Sequence, residues 1–391
     1  MPLPFNFDLQ AFERPRIVHI AETALATEPR SITTVRNPRS AGGSHDFSSE
    51  GDYWWPDPDH PGAPYIERDG MTNPDNFVAH RQLLLGFVRD FGALAAAYRV
   101  SGDERFARAA VRQAHVWFVD PATRMNPTLL YSQAIRGLNT GRSIGVIDTL
   151  HLAEVALGVE ALRGSKALTA SEETALTGWF HDYLTWIRTH PYGIEESKAK
   201  NNHGTCAWLQ IACFAHLTGD LATLAESRRQ LKDVLLPNQM APDGSFPDEL
   251  RRTKPYGYSI FNLDVMTALA AVLSTKDEDL MRYTLPDGRS LVKGVEWLAP
   301  FIADKGAWLK SVHRTLPGKT NPVVTNEWVK SDVMYWDNWP VRQPALLFGA
   351  LAAGRSDWLE LWQRLEPDPQ VEEIRRNFPI RNPVLWVSPK L

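Results

Sequence analysis

The chain has 391 residues, 43% hydrophobic and 23% charged, the balance of an ordinary globular protein with length for one to three domains. Its formal net charge of −4 supplies no global basic field for nucleic acid, so a polyanionic partner would need a locally basic cleft. Fourteen Trp and ten Tyr are many, and aromatic faces serve sugar-binding clefts as well as cores.

The start, Met1-Pro2-Leu3-Pro4-Phe5, shows neither a basic n-region nor an apolar h-region, so no signal peptide is read there and the compartment stays unspecified. Residues 1–75, rich in Pro, Gly, Asp and aromatics, read as an extended arm or lid rather than regular helix. From Asn76 the pattern changes. Leu84, Phe87, Val88, Phe91, Leu94, Ala95 and Tyr98 recur at helical steps. Ser101-Gly102-Asp103 then breaks the helix and caps the next, which carries Phe106, Ala110, Ala114 and Trp117. Thr169 with Glu172 forms a capping box. Thr218-Gly219-Asp220 repeats the earlier punctuation, and Gly354-Arg355-Ser356-Asp357 echoes it loosely.

Cys206 and Cys213, if on one helix, stand ~10.5 Å apart along its axis, too far for a disulfide. They read as small buried apolar residues. No uninterrupted run of about eighteen apolar residues occurs, so no membrane span is expected. The whole reads as roughly ten to fourteen helices with few strands. Repeated helix pairs predict an all-α protein of one domain over residues 1–391, with an α/α toroid over residues 76–365 and an irregular helical bundle as the alternative. Residues 366–391, with Pro367, Pro369, Pro379, Pro383 and Pro389, read as a tail over the surface.

Two segments carry the chemistry: Asn201-Asn202-His203-Gly204-Thr205, and Glu249-Leu250-Arg251-Arg252-Thr253-Lys254-Pro255-Tyr256-Gly257-Tyr258-Ser259. They gather an amide, an imidazole, guanidiniums and a phenol, with no obvious nucleophile or metal cage. That set suits β-elimination in a uronic-acid polymer. The C5 proton is barely acidic until the adjacent carboxylate is offset and the enolate-like intermediate stabilised. Asn202 and His203 suit the carboxylate, an arginine adds charge-assisted bonds, and Tyr258 suits the base and then the acid. In β-mannuronate and β-glucuronate H5 and O4 share one ring face, so one phenol serves both steps. A phenol starts near pKa 10, and Arg251, Arg252 and Lys254 are expected to favour the phenolate. Taken singly, each residue is more often a cap, a packed aromatic or a solvated charge than a catalytic group.

The pairing of Asn-Asn-His-Gly-Thr with Glu-Leu-x-Arg-Thr-x-x-x-x-Tyr-Ser resembles the alginate-lyase-like polysaccharide lyases, family thirty-eight more closely than family five. His45-Asp46-Phe47, Asp52 to Pro58, Pro64 to Gly70 and Asn73-Pro74 resemble the N-terminal signature. Met125-Asn126-Pro127 through Gln133, Gly137, Asn139 and Gly141-Arg142 resemble the middle block. Val333 to Trp336 and Trp339 to Pro344 resemble the C-terminal block. The resemblance implies a toroid of six or seven helix pairs, no cofactor and no catalytic metal. It implies Asn202 and His203 on the carboxylate, Arg252 assisting, and Tyr258 as shared base and acid. Arg251 stands as an alternative to Arg252, and Tyr256 as a weaker one to Tyr258. Tyr53, Trp54, Trp55 and Arg68 are candidates for a lid or subsite wall. Gln133, Arg142, Tyr335, Trp336 and Arg342 are candidates for sugar hydroxyls and neighbouring carboxylates.

The expected partner is therefore an anionic polysaccharide, with no nucleic acid and no membrane. Mannuronan and glucuronan, endo and exo action, and oligomeric state stay open. A glycoside hydrolase would need two carboxylates flanking the bond, and Asp248, Glu249, Glu327, Asp332 and Asp337 are available. A non-catalytic carbohydrate-binding protein would keep the aromatics without needing His203 and Tyr258 together. His45, Asp46, Asp57, Asp59 and His60 cluster in sequence, but not at a metal-ligand spacing.

Overall fold

The structure, a computed structural model, describes residues 7–311 and 340–387. Helices run in chain order from α1 (Leu9–Ala24) and α2 (Ala79–Ser101) through α3 (Glu104–Phe118), α4 (Leu152–Ala161), α5 (Ala170–Thr189), α6 (Pro191–Ser197), α7 (Asn202–Thr218) and α8 (Leu221–Gln230). Short α9 (Leu236–Gln239) and α10 (Pro247–Leu250) precede α11 (Pro255–Leu273), α12 (Leu291–Ala303) and α13 (Lys305–Ser311). After the undescribed stretch come α14 (Pro344–Ala353), α15 (Ser356–Arg364), α16 (Glu372–Arg376) and α17 (Pro383–Trp386).

Composition sorts these helices into two sets. α4, α7, α11 and α14 are apolar nearly all round and bury almost every residue, as helices enclosed on all sides must. α3 and α15 are strongly two-faced and bury a single stripe. The contacts follow: α2, α4, α7, α11 and α14 touch in succession, while α1 and α3 flank α2, α5 and α8 flank α7, and α12 and α15 flank α14. An inner ring is thus covered by outer helices. By length and composition α11 is apolar enough to cross a membrane, but 89% of that window is buried inside this protein.

The punctuation behaves as read. Gly102 and Gly219 end α2 and α7 in the left-handed conformation, and the Asp103 and Asp220 side chains cap α3 and α8. Thr169 accepts from Glu172 N, although the Glu172 carboxylate reaches His115 instead of closing the box. Cys206 and Cys213 are both on α7 as buried free thiols.

Two boundaries are corrected. The N-terminal arm contains a sixteen-residue helix, α1, packed on α2. Its buried stripe is Leu9, Glu13, Ile17, Ala21 and Ala24. The Glu in that stripe and Pro15 within the helix hide the apolar period. Glu13 is buried because Arg16 and Arg342 pair with it, both at 2.7 Å. Nor is the C-terminal stretch a surface tail, since Phe378, Ile380, Val384, Leu385 and Trp386 are core residues.

What holds that stretch is one buried carboxylate on α4. Glu154 accepts from Arg381 N (2.7 Å), Asn382 N (3.0 Å), Asn382 Nδ2 and Trp386 Nε1 (both 2.8 Å). α2 passes so close that a Cβ on Gly92 would lie 2.7 Å from Glu154 Oε1. Deleting the carboxylate strands four donors at once. Glu154→Ala should therefore lose about 3 kcal/mol or more of unfolding free energy in urea titration, well beyond a surface substitution.

Candidate active site

Short strands bring distant segments to one end of the ring. β1 (Ser48–Glu50) pairs parallel with β4 (Tyr131–Ala134), and β2 (Trp54–Trp55) pairs antiparallel with β3 (Ile66–Glu67). Between them and the helices lies a cleft of about 300 Å³. Its lining includes Tyr53, Trp54, Gln133, Arg142, Asn202, His203, Arg252 and Tyr258. Every residue of the proposed catalytic set is in this one cleft.

Four inner helices start here. Arg81 lies in the first turn of α2, His151 precedes α4, Asn201 to His203 open α7, and Tyr258 is in the first turn of α11. Helix N-termini carry partial positive charge and unpaired N–H groups, so the cleft favours an anion although the chain is acidic overall.

On the α7 side, Asn201 caps the helix by accepting from His203 N. Asn202 is held by Glu249, which accepts from its backbone N (2.7 Å) and its Nδ2 (2.8 Å). Burial raises the Glu249 carboxyl above its ordinary value, and the two Asn202 bonds pull it back. His203 Nδ1 is 2.6 Å from Glu196 Oε1, which leaves Nε2 for a ligand.

On the α11 side, Tyr258 Oη accepts from Arg252 Nη2 at 2.8 Å and lies 3.2 Å from Tyr53 Oη. The guanidinium also covers the phenol ring, 3.9 Å from its centroid. Asp69 anchors Arg252 at 2.7 Å and takes both Thr253 N and Thr253 Oγ1. The neighbouring Gly70, at φ +80°, lets these loops touch: a Cβ there would be 2.4 Å from Thr253 Oγ1. Burial pushes the Tyr258 phenol well above its usual value, Tyr53 adds to this, and Arg252 pulls it partly back. This corrects the expected cluster of three phenolate-favouring cations. Lys254 pairs with Glu373 and Arg251 with Asp248, so Arg252 is the cation on the phenol.

The cleft floor is an ionic chain. Asp52 joins Arg81 (2.5 Å) to Arg376 (2.6 Å), and Arg376 Nη2 donates to Tyr53 Oη at 3.1 Å. Burial opposes ionisation of Asp52, but Arg376 and Arg81 overcome it and hold its pKa down to about 2. Asp148 takes Ser49 Oγ, Gln133 Nε2 and Arg81 Nη1. Burial holds His151 down to about 3, so that imidazole is neutral. Gln133 adopts φ 55°, a conformation costing about 1 kcal/mol or more outside Gly, and is fixed by Ser49 Oγ on its N–H and Arg142 Nε on its carbonyl. Arg142 lies over the Trp54 ring at 5.5 Å and makes no ion pair among the described residues.

Other candidates lie elsewhere. Tyr256 is fully buried against Trp308, with its hydroxyl toward the Phe301 carbonyl. Arg251 is exposed beside Asp248. Arg68 covers the Trp55 ring at 5.6 Å on the β2–β3 hairpin, outside the cleft lining. Arg342 is structural: it reaches Glu13 and the Leu365 and Gln363 carbonyls, between Phe12 and Trp362. Tyr335 and Trp336 lie outside the described residues, as do Glu327, Asp332 and Asp337. Of the remaining hydrolase candidates, Asp248 is on the surface and Glu249 is spent on Asn202. His45 and Asp46 bond Arg124 O and Asn126 Nδ2, apart from the His60–Asp57 pair. Sequence reasoning missed Glu196, Asp69, Arg81, Asp148 and Arg376, and assigned Glu249 no supporting role. Asp69 and Glu249 stood inside the quoted motifs, whereas Arg376 left no signal.

A family model described as alginate lyase matches residues 31–308. No curated protein matches the chain. Among solved structures, an alginate lyase from Bacteroides ovatus is 29% identical with a TM-score of 0.75, covering 97% of this chain and 93% of that one. Alginate lyase A1-III from Sphingomonas species A1 gives 15% identity and a TM-score of 0.54, over 96% of this chain and 94% of its own. A single-substitution variant of A1-III complexed with a tetrasaccharide gives 16% and 0.57, over 100% and 99%. The last two carry the fold alone. The helical ring and its cleft are those of a polysaccharide lyase on an α/α toroid. Within that class, the chain belongs to the alginate lyase family.

Glu196 is nearly fully buried behind His203, and its bond sets the imidazole's orientation. Glu196→Gln should keep the fold, because volume and one acceptor remain. A charge-assisted bond of ~1.5–3 kcal/mol is weakened, so kcat should drop roughly ten- to a hundredfold with Tm nearly unchanged, measured by initial rates and thermal melting.

Proposed function

We propose that this lyase cleaves a β-1,4-linked polyuronate, mannuronan or glucuronan, by syn β-elimination, leaving a C4–C5 unsaturated uronate end. The observation that carries this reading is the Tyr258 hydroxyl bound by Arg252 at 2.8 Å, in the same cleft as Asn202 and His203. The family match supports lyase chemistry, and the basic cleft supports an anionic polysaccharide.

The substrate carboxylate is taken by the second Nδ2–H of Asn202 and by His203 Nε2, at the positive end of the α7 dipole. These donors stabilise the charge that grows as C5 loses its proton. Tyr258, as phenolate, removes H5. The C4–O bond breaks, and the phenol returns the proton to O4 on the same ring face. Arg252 steadies the phenolate and, being anchored by Asp69, does so without moving. Arg142, backed by Trp54 and Gln133, suits the carboxylate of a neighbouring sugar. Tyr53 and Trp54 wall the cleft. No step calls on a cofactor.

Tyr258→Phe removes one oxygen and little volume. Turnover should fall at least ~10²-fold, the lower end for a positioned acid or base, with Tm nearly unchanged. Because burial raises the phenol, its base form is gained as pH rises. Wild-type kcat/KM should therefore climb from neutral toward alkaline pH in the ultraviolet assay of the new double bond. A variant retaining more than about a tenth of wild-type turnover would exclude Tyr258 as the proton carrier.

With one phenol on one face, mannuronan or glucuronan should be degraded and pure polyguluronate left intact. Product from polyguluronate alone, in a panel of polyuronates, would overturn the syn assignment.

A further inference from the structure

Behind the cleft, between α1, α2 and the C-terminal stretch, lies a second cavity of about 360 Å³. Four arginines from three segments line it: Arg16 of α1, Arg89 of α2, and Arg375 and Arg381 of the C-terminal stretch. Asp368 and Glu372 are its carboxylates. Arg16 is fully committed, to Glu13, Asp368 and the Arg381 carbonyl. The other three are each tied by one side-chain nitrogen: Arg89 Nε to Asp90, Arg375 Nε to the Pro369 carbonyl, and Arg381 Nη2 to the Arg375 carbonyl. Their remaining N–H groups make no hydrogen bond among the described residues. Arg381 Nε is buried with no hydrogen-bond partner among the described residues.

A buried guanidinium donor without an acceptor is costly, and planar forks converging on one space are the usual recognition of an oxyanion. We propose that this cavity is a second anion site, separate from the catalytic cleft, which takes a carboxylate or phosphate-like oxyanion on Arg89, Arg375 and Arg381. Burial, with Arg89 and Arg375 adding to it, pulls the Arg381 guanidinium down to about 10 despite Glu154 and Asp368. An anion in the cavity would relieve that. Two sources share the chemistry: a free oxyanion such as phosphate, or a uronate of the polymer, the latter resting on the proposed substrate.

The site also touches the cleft through one short helix. α16 presents Arg375 to the outer cavity, while its Arg376 holds Asp52 and Tyr53 and its Glu373 holds Lys254 at the start of α11. An anion on Arg375 therefore bears on the helix that fixes the Tyr53–Tyr258 pair.

Calorimetric titration of the full chain tests this with inorganic phosphate, with a saturated oligouronate on the Tyr258→Phe background, and with a neutral oligosaccharide of equal length. We expect one saturable oxyanion site besides the cleft, weakened about tenfold or more in Arg89→Ala/Arg375→Ala, since two charge-assisted contacts are lost. Arg89 is exposed and Arg375 is partly exposed, so this variant should fold, and circular dichroism and Tm check that it does. Phosphate binding alone assigns a free oxyanion. A second equivalent of oligouronate that disappears in the double variant assigns the polymer. The cleft's own equivalent persists in that variant, so a wrong substrate class removes the first equivalent and leaves the phosphate result standing. Absence of saturable binding by either anion, or affinity unchanged in the folded double variant, overturns the site.

Discussion

Four buried helices, α2, α4, α7 and α11, begin at the same end of the molecule, and the chemistry hangs on that shared direction. Helices of an inner ring like this are apolar over most of their surface; some polar groups are buried mid-helix, as Gln210 and Asp264 are, and others lie at the ends. At the N-terminal ends they meet the positive poles of the helix dipoles. An acidic chain thereby acquires an anion-seeking cleft without a basic surface. Asn201, Asn202 and His203 occupy the first positions of one such helix, and Tyr258 the first turn of another. Their spacing in sequence is set by the α8 to α10 excursion that returns the chain to the same end.

Within the cleft, most arginines are already neutralised. Arg81 and Arg376 share Asp52, and Arg252 is bound by Asp69. Such pairs contribute little net stability once desolvation is counted, but they fix geometry. They also sort the cations by task. Arg252 is committed to the phenol, which leaves Asn202, His203 and Arg142 as the donors proposed for a substrate carboxylate. The two carboxylates behind Asn202 and His203, Glu249 and Glu196, set orientation in the same way.

The sequence disclosed the ring through period and punctuation. Gly102 and Gly219 ended helices, and the apolar repeats of α2 and α7 were long enough to read. It concealed α1, whose buried stripe includes Glu13 and whose helix contains Pro15. A period counted in apolar residues cannot register a buried ion pair. The proposed catalytic set was legible because its members sit in two compact motifs. The supports Asp69 and Arg376 were not, because they reach the cleft from distant segments, and a pairing across 183 residues, as between Asp69 and Arg252, leaves no local trace. Arg342 shows the converse error. A motif neighbour was taken for a ligand group, whereas its partner is the buried glutamate of the overlooked helix. Tyr256 and Tyr258, two residues apart in one helical turn, point apart, so the choice between them is one of helix geometry.

The partly buried phenol sets the remaining problem. In the proposed mechanism, enclosure strengthens every interaction the intermediate needs, yet it raises the cost of making the phenolate. Arg252 offsets part of that cost, and its own charge is secured by Tyr258 and Asp69 against burial. Asp69 therefore acts in two opposed ways: it fixes Arg252 on the ring, and it dilutes the field the phenol feels. That compromise is tolerable only if the guanidinium is held close, and at 3.9 Å from the ring centroid it is. The closeness is imposed from outside the helical ring. Asp69 and Gly70 belong to the N-terminal arm, Tyr53 to the turn before β2, and Arg376 and Glu373 to the C-terminal stretch. The toroid supplies a cleft with the right polarity, and the two chain ends laid across it bring the phenol and its cation into register.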